Sequence, residues 1–221
     1  MPSPFSPIAL LLIIVGLTAL VTFVQIGLVT VAFDKLGLSS GSAFMLLICS
    51  LVGSAINLPL FTLKAEPPKD TLIQPFFGLL RPPNLPFTGT TTFNINVGGG
   101  LIPLFFSVYL IHNNTIPVSD IVLGISCVTL ISFLVSRPIR GIGIGMPILI
   151  APLCAALVAV ALNTEASAPL AYISGTLGVL LGADILRLNN IRKMGFPMAS
   201  IGGAGTFDGI FITGIVAVLL A

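Results

Sequence analysis

Residues 168–221 read APLAYISGTLGVLLGADILRLNNIRKMGFPMASIGGAGTFDGIFITGIVAVLLA. Two apolar runs, 168–188 and 199–221, flank a short connection that carries Arg192 and Lys193, with Arg187 at its border. Each run is near the length of about 20 residues that a bilayer-crossing helix needs. Each also holds one acid set among glycines, Asp184 in the first and Asp208 in the second. An ionisable side chain inside such a run is costly, so its presence calls for a reason.

Moving outward, the same pattern predicts five more spans, at about 8–33, 42–63, 99–112, 118–136 and 145–162. The composition agrees. Of 221 residues, 56% are hydrophobic and 7% are charged, where soluble domains carry about 25% charged residues. A mean hydropathy of +1.14 excludes an ordinary soluble domain and a disordered chain. A net charge of +2 gives no basis for binding nucleic acid. Cys49, Cys127 and Cys154 lie in apolar runs and read as small buried hydrophobes without a disulfide or zinc framework. No cofactor or metal is expected: the single His112 has no Cys or acid at ligand spacing, and no Walker loop is present. The first run lacks a basic leader and a small-residue cleavage site, so it reads as a span and not as a signal peptide.

Basic residues set the orientation. Lys64, Lys69, Arg81, Arg137, Arg140, Arg187, Arg192 and Lys193 follow the even-numbered spans, and only Lys35 follows an odd-numbered one. The expectation is an all-α bundle of seven spans forming one integral membrane domain over 1–221. Its N-terminus is inside and its C-terminus outside. Residues 64–98 form an extended cytoplasmic or interfacial loop. Within that loop TTFNIN alternates and is rich in β-formers, so 90–97 reads as a short strand, open to pairing with an extended peptide.

Two spans open on glycine clusters, Asn96-Val97-Gly98-Gly99-Gly100 before Pro103, and Gly143-Ile144-Gly145 before Pro147. They read either as unwound backbone lining a pocket or as close packing through small residues.

Asp184 and Asp208 fall on consecutive antiparallel helices joined on the cytoplasmic side. Asp208 lies nine residues into its run, about 14 Å at 1.5 Å per residue. Two carboxyls that meet across a seam share a proton, which is the requirement for aspartyl-protease chemistry. Gly182, Gly205 and Gly209, with Phe207, would shape such a site. Three other roles stay open: an ion pair between Asp184 and Arg187, an N-cap by Asp208, and proton or cation coupling in a transporter or channel. A non-enzymatic membrane subunit, alone or in an oligomer or complex, is a further alternative.

The segments SGTLGVLLGADILRL and ASIGGAGTFDGIFITGIVAVLLA, with NVGGGLIP and GIGIGMP, resemble an uncharacterised family of small prokaryotic multi-pass membrane proteins, a domain of unknown function. That resemblance implies a prokaryotic cell-membrane location and no activity. A more distant likeness is to the presenilin and signal-peptide-peptidase class of intramembrane aspartyl proteases. Gly205-Thr206-Phe207-Asp208-Gly209 resembles that class's second motif, and Gly182-Ala183-Asp184 would hold the first. Ala183 stands where the class has Tyr, Phe207 where it has Gly, and the chain ends 13 residues after Asp208 without the class's Pro-Ala-Leu element. The likeness implies a dyad of Asp184 and Asp208 acting on a transmembrane peptide.

Overall fold

The computed structural model describes residues 15, 16, 18, 28–67, 89–139, 143–203 and 209–221. The fold is mostly helical, with a small sheet at one end. In chain order the elements are α1 (Leu28–Lys35), α2 (Ser40–Gly53), β1 (Asn57–Lys64), β2 (Thr90–Asn96), a π-helical turn (Val97–Leu101), α3 (Ile102–Asn113), α4 (Val118–Val135), β3 (Arg137–Ile139), β4 (Gly143–Gly145), α5 (Ile150–Leu162), α6 (Ser167–Val179), a second π-helical turn (Leu180–Asp184), a 3-10 turn (Ile185–Arg187), α7 (Leu188–Arg192), β5 (Met198–Ile201) and α8 (Gly209–Leu220).

Helix α6 is the hub, packed by α3, α4, α5 and α8. Small residues make that position available. Ser174, Gly178 and Gly182 recur every fourth position and face α4. A Cβ on Gly178 would fall 2.6 Å from the Val128 Cβ, and one on Gly182 would fall 2.4 Å from the Thr129 carbonyl oxygen. Gly124 on α4 answers from the other side, with the Ser174 Cβ 3.2 Å from where its own Cβ would stand. Spacing of this kind lets helix backbones approach closely.

The outer helices α2, α4 and α5 carry large apolar side chains on their outward faces, while the centre buries Leu110, Leu170, Tyr172 and Ile173 beside small residues. Along α5, Ala151, Ala155, Ala156 and Ala159 face inward, while Leu149, Leu153 and Leu157 are exposed, Leu157 to 70%. Along α4 the buried stripe is Ile121, Gly124, Val128 and Ser132, and the outward face carries Val118, Val122, Leu123, Leu130 and Leu134. On α2, Ser50 and Gly53 point inward, and Phe44, Met45, Ile48 and Val52 outward.

The helix ends gather at two poles. At one, Lys35 Nζ donates to the Val218 carbonyl at 3.4 Å, Asn163 Nδ2 to Asp120 Oδ2 at 3.3 Å, and Ser167 Oγ to the Ala221 carbonyl at 3.3 Å. At the other lies the sheet, in the order β1-β2-β5, with β1 antiparallel and β5 parallel to the central β2. Thr90 to Asn96 pair with Lys64 to Asn57, with a register break between Pro59 and Phe61. Thr92 to Ile95 pair with Met198 to Ile201. The β3–β4 ribbon links α4 to α5.

Several expectations are corrected. The chain is not all-α. Among the described residues two helices, Val118–Val135 and Ser167–Arg192, are long and apolar enough to cross a membrane, and Ser40–Gly53, Val97–Asn113, Ile150–Leu162 and Ile210–Leu220 are shorter apolar helices; most of the expected 8–33 span lies outside the described residues. The 42–63 run divides into α2 and β1. Pro59 lacks an N–H for a helical bond, and the segment around it joins the edge strand where that loss is tolerated. The 199–221 run begins as β5, so the 14 Å helical depth for Asp208 lapses: its residue directly precedes α8. The 145–162 run opens with Gly143–Gly145 in a strand, and its helix begins at Ile150. Cys49 and Cys127 are exposed on outward helix faces, not buried.

Candidate functional site

The site is built where α6 loses its α-helical regularity. The π turn over Leu180–Asp184 widens the helix at its end, and Asp184, two residues after Gly182, lies on the side away from the stripe that faces α4. Gly182 and Asp184 therefore serve different neighbours. Gly182 lies against Thr129, Ser132 and Phe133 of α4. Asp184, half-buried, accepts a hydrogen bond on Oδ2 from the Gly202 N–H at 2.7 Å. Gly202 is the turn residue that ends β5, at φ +78°.

Gly202 is glycine for two reasons. Its φ is in the left-handed region, which a Cβ disfavours. A Cβ there would also lie 2.6 Å from the Gly100 nitrogen, 2.7 Å from the Gly100 Cα and 2.8 Å from the Gly99 carbonyl carbon. The glycine cluster before α3 thus forms a shelf under the turn that Asp184 holds. Gly98 lies still closer to α2: its hypothetical Cβ would fall 1.8 Å from the Ser50 carbonyl oxygen, and Ser50 Oγ donates to the Gly98 carbonyl at 2.6 Å. This backbone is not unwound. It is a hydrogen-bonded π turn in which the Ile102 N–H reaches the Val97 carbonyl. Close packing is what its glycines provide. Pro103 follows in the first turn of α3, where a missing N–H costs little.

Asn96 organises the shelf. Its Oδ1 accepts from the Gly99 N–H at 2.8 Å, and its Nδ2 donates to the Ser54 carbonyl at 2.7 Å and to Asn57 Oδ1 at 3.1 Å. Asn57 Oδ1 also accepts from Ser200 Oγ of β5 at 2.6 Å.

Arg187 does not pair with Asp184. Its guanidinium caps the end of α4, donating through Nη2 to the carbonyls of Phe133 and Ser136 and through Nε to Ser136 Oγ at 3.1 Å, with the Phe133 ring 4.2 Å away. Cations suit the C-terminal ends of helices, where carbonyls lack partners.

Of the remaining expected site residues, Gly205, Phe207 and Asp208 lie outside the described residues, and Gly209 is the first residue of α8. Gly143 and Gly145 sit in the β3–β4 ribbon, and Pro147 is an exposed connector to α5. None of these three pairs with the sheet. The strand expected at 90–97 exists as β2, but both its edges are occupied, so no peptide can add to it. Among the described residues no three His, Cys, Asp or Glu side chains converge as metal ligands.

Asn96 and β5 escaped sequence reading, although signals were present. An Asn directly before Val-Gly-Gly-Gly is an N-cap in the position where Asn is favoured. Pro197 and the Gly202-Gly203 pair bracket Met-Ala-Ser-Ile as a short strand.

The molecule is a helical bundle with a small sheet on one pole and a carboxyl held at the junction of the two. Residues 51–220 match the model of a family described as a protein of unknown function, DUF1614, and the chain belongs to that family. No curated protein and no solved structure matches it.

Proposed function

We propose that the chain is a seven-span membrane protein and an intramembrane aspartyl peptidase, with Asp184 and Asp208 as its dyad. The membrane reading draws support from the side-chain arrangement. On α2, α4 and α5 the outward faces are covered by leucine, valine, isoleucine and phenylalanine, as expected where the surroundings are hydrocarbon, while alanine, glycine and serine share the interior with Phe33, Leu110, Leu170, Tyr172 and Ile173. The two poles also match the charge asymmetry, with Lys35 at one and Lys64, Arg187 and Arg192 at the sheet pole.

The peptidase reading rests on one observation, the bond from Gly202 to Asp184. It brings the end of α6 against the segment that carries Asp208 six residues further on. It also supplies a substrate track. Thr92 N–H donates to the Pro197 carbonyl, so the backbone groups of 197, 199 and 201 face β2 and those of 198 and 200 face the opposite edge. Among the described residues that edge is unpaired. By the same alternation the Gly202 N–H points off it, toward Asp184. An extended peptide added to β5 would run along Met198 and Ser200 toward the carboxyl.

In the reaction one carboxylate removes a proton from water, whose oxygen attacks the peptide carbonyl carbon. The other carboxyl gives its proton to the carbonyl oxygen. The resulting diol collapses, the C–N bond breaks, and the amine leaves with the proton taken from water. The test is the purified full chain in detergent with a panel of quenched fluorescent apolar peptides. Cleavage by the wild type, lost in both Asp184→Asn and Asp208→Asn, supports the dyad. A wild type that cleaves none of them but dissipates a proton or sodium gradient in liposomes, with the same variants blocking flux, replaces the peptidase with a transporter.

A further inference from the structure

Asn96 joins the site from a distance. It is 1% exposed, and both its donors and its carbonyl are engaged, with Ser54, Asn57 and Gly99. From it two routes lead to β5. One runs through the Gly99 N–H to the Gly99-Gly100 backbone on which Gly202 rests. The other runs through Asn57 Oδ1 to Ser200 Oγ. Both end within two residues of the N–H that holds Asp184.

We propose that Asn96 is a positioning residue for Asp184, acting through the glycine shelf and the Gly202 turn. In its assignment of a role to Asp184 this rests on the peptidase reading. The physical coupling does not, because it is a statement about the Gly202 amide. An alanine at 96 frees the Gly99 N–H, the shelf loses its anchor, and the turn above it opens more often. A polar group used three times in a dry place is also a specific determinant: an aspartate there keeps the acceptor for Gly99 but presents oxygen to the Ser54 carbonyl and Asn57 Oδ1, removing both donor contacts.

The measurement is site-resolved hydrogen exchange of the full chain in detergent, comparing wild type, Asn96→Ala, Asn96→Asp and Asp184→Asn. Loss of one buried hydrogen bond of about 1.4 kcal/mol corresponds to about tenfold faster exchange. The expected result is about tenfold faster exchange at Gly202 in Asn96→Ala, with the α8 amides unchanged, and near-wild-type exchange at the same amide in Asp184→Asn, which keeps an acceptor oxygen. Asn96→Asp serves if the alanine variant does not fold. Unchanged exchange at Gly202 in the Asn96 variant, or equal acceleration at every amide, overturns the proposal, the second outcome because it marks a structural role alone. If the wild type cleaves peptides, Asn96→Ala lowers kcat about tenfold with KM unchanged. A wild type without cleavage defeats the peptidase reading and leaves the exchange result standing.

Discussion

Replacing Gly202 with alanine separates two costs that glycine avoids at this turn. The first is conformational. A Cβ at φ +78° pays the left-handed penalty of about 1–2 kcal/mol. The second is steric. Three backbone atoms of Gly99 and Gly100 stand 2.6–2.8 Å from the new Cβ, well inside van der Waals contact. They belong to a buried turn pinned by Asn96, and forced relief of such overlap costs about 1–3 kcal/mol. Gly202→Ala should therefore destabilise the chain by about 2–5 kcal/mol. Gly37→Ala isolates the first term, because Gly37 has φ +75° and nothing within 4 Å of its hypothetical Cβ. It should cost about 1–2 kcal/mol. The assay is denaturant unfolding of both variants in one detergent, read at the midpoint with the slope checked for constancy. Losses that agree within about 0.5 kcal/mol, the usual tolerance for independent effects, would show that the shelf does not press on the turn, and the account of the site would fall with it.

Asp184→Ala leaves the Gly202 N–H without its acceptor and should cost about 1–3 kcal/mol, while Asp184→Asn keeps an acceptor oxygen and should stay within about 1 kcal/mol of wild type in the same unfolding assay. Gly182→Ala drives a Cβ to 2.4 Å from the Thr129 carbonyl oxygen and should destabilise by about 1–3 kcal/mol, whereas Gly41→Ala, in open space inside α2, should stabilise by about 0.5–1 kcal/mol. Arg187→Lys cannot reproduce the forked contact with Phe133 and Ser136, and its melting temperature should fall nearly as far as that of Arg187→Ala. Cys49 and Cys127, on outward helix faces, should react in intact membranes with an apolar maleimide and resist a charged one; equal labelling by both would contradict a lipid-facing surface.

The helices were legible where a single apolar run is also a single element. Residues 118–136 were expected to be helical and 118–135 are, because no proline or glycine pair interrupts the run before Arg137-Pro138. The runs 42–63 and 199–221 were misread because hydropathy does not distinguish a helix from a strand. Asn57-Leu58-Pro59-Leu60-Phe61 and Met198-Ala199-Ser200-Ile201 are apolar by composition and become strands only through their pairing with β2, a long-range event. Asp184 stood out because a lone acid in an apolar run is rare. Its partner, a backbone N–H, was invisible, since every residue but proline has one. Arg187 was visible as a charge three residues on from Asp184, yet the π and 3-10 turns between them change the phase of the helix, and the side chain reaches α4 instead.

A sheet edge beside a helical bundle is a costly arrangement in a membrane, where unpaired N–H and C=O groups find no solvent. On the proposed membrane reading, the outer edge of β5, unpaired among the described residues, needs water or a partner strand. Asp184 satisfies one group on that edge, at Gly202, and leaves the backbone groups of Met198 and Ser200 for whatever lies beside them. Peptide hydrolysis inside a membrane has matching needs: a strand edge that opens a helical substrate into extended form, and a wet place for the attacking water. Ion transport has no use for such an edge, since a coupling carboxyl works equally well between two helices. The decisive comparison is thus a variant that closes the edge without touching a carboxyl. Met198→Pro removes an outward N–H of β5, a group that takes no part in the pairing with β2 and lies outside the Asn57–Ser200 contact. It should abolish peptide cleavage if the edge carries substrate, and leave ion flux unchanged if the aspartates only pass cations.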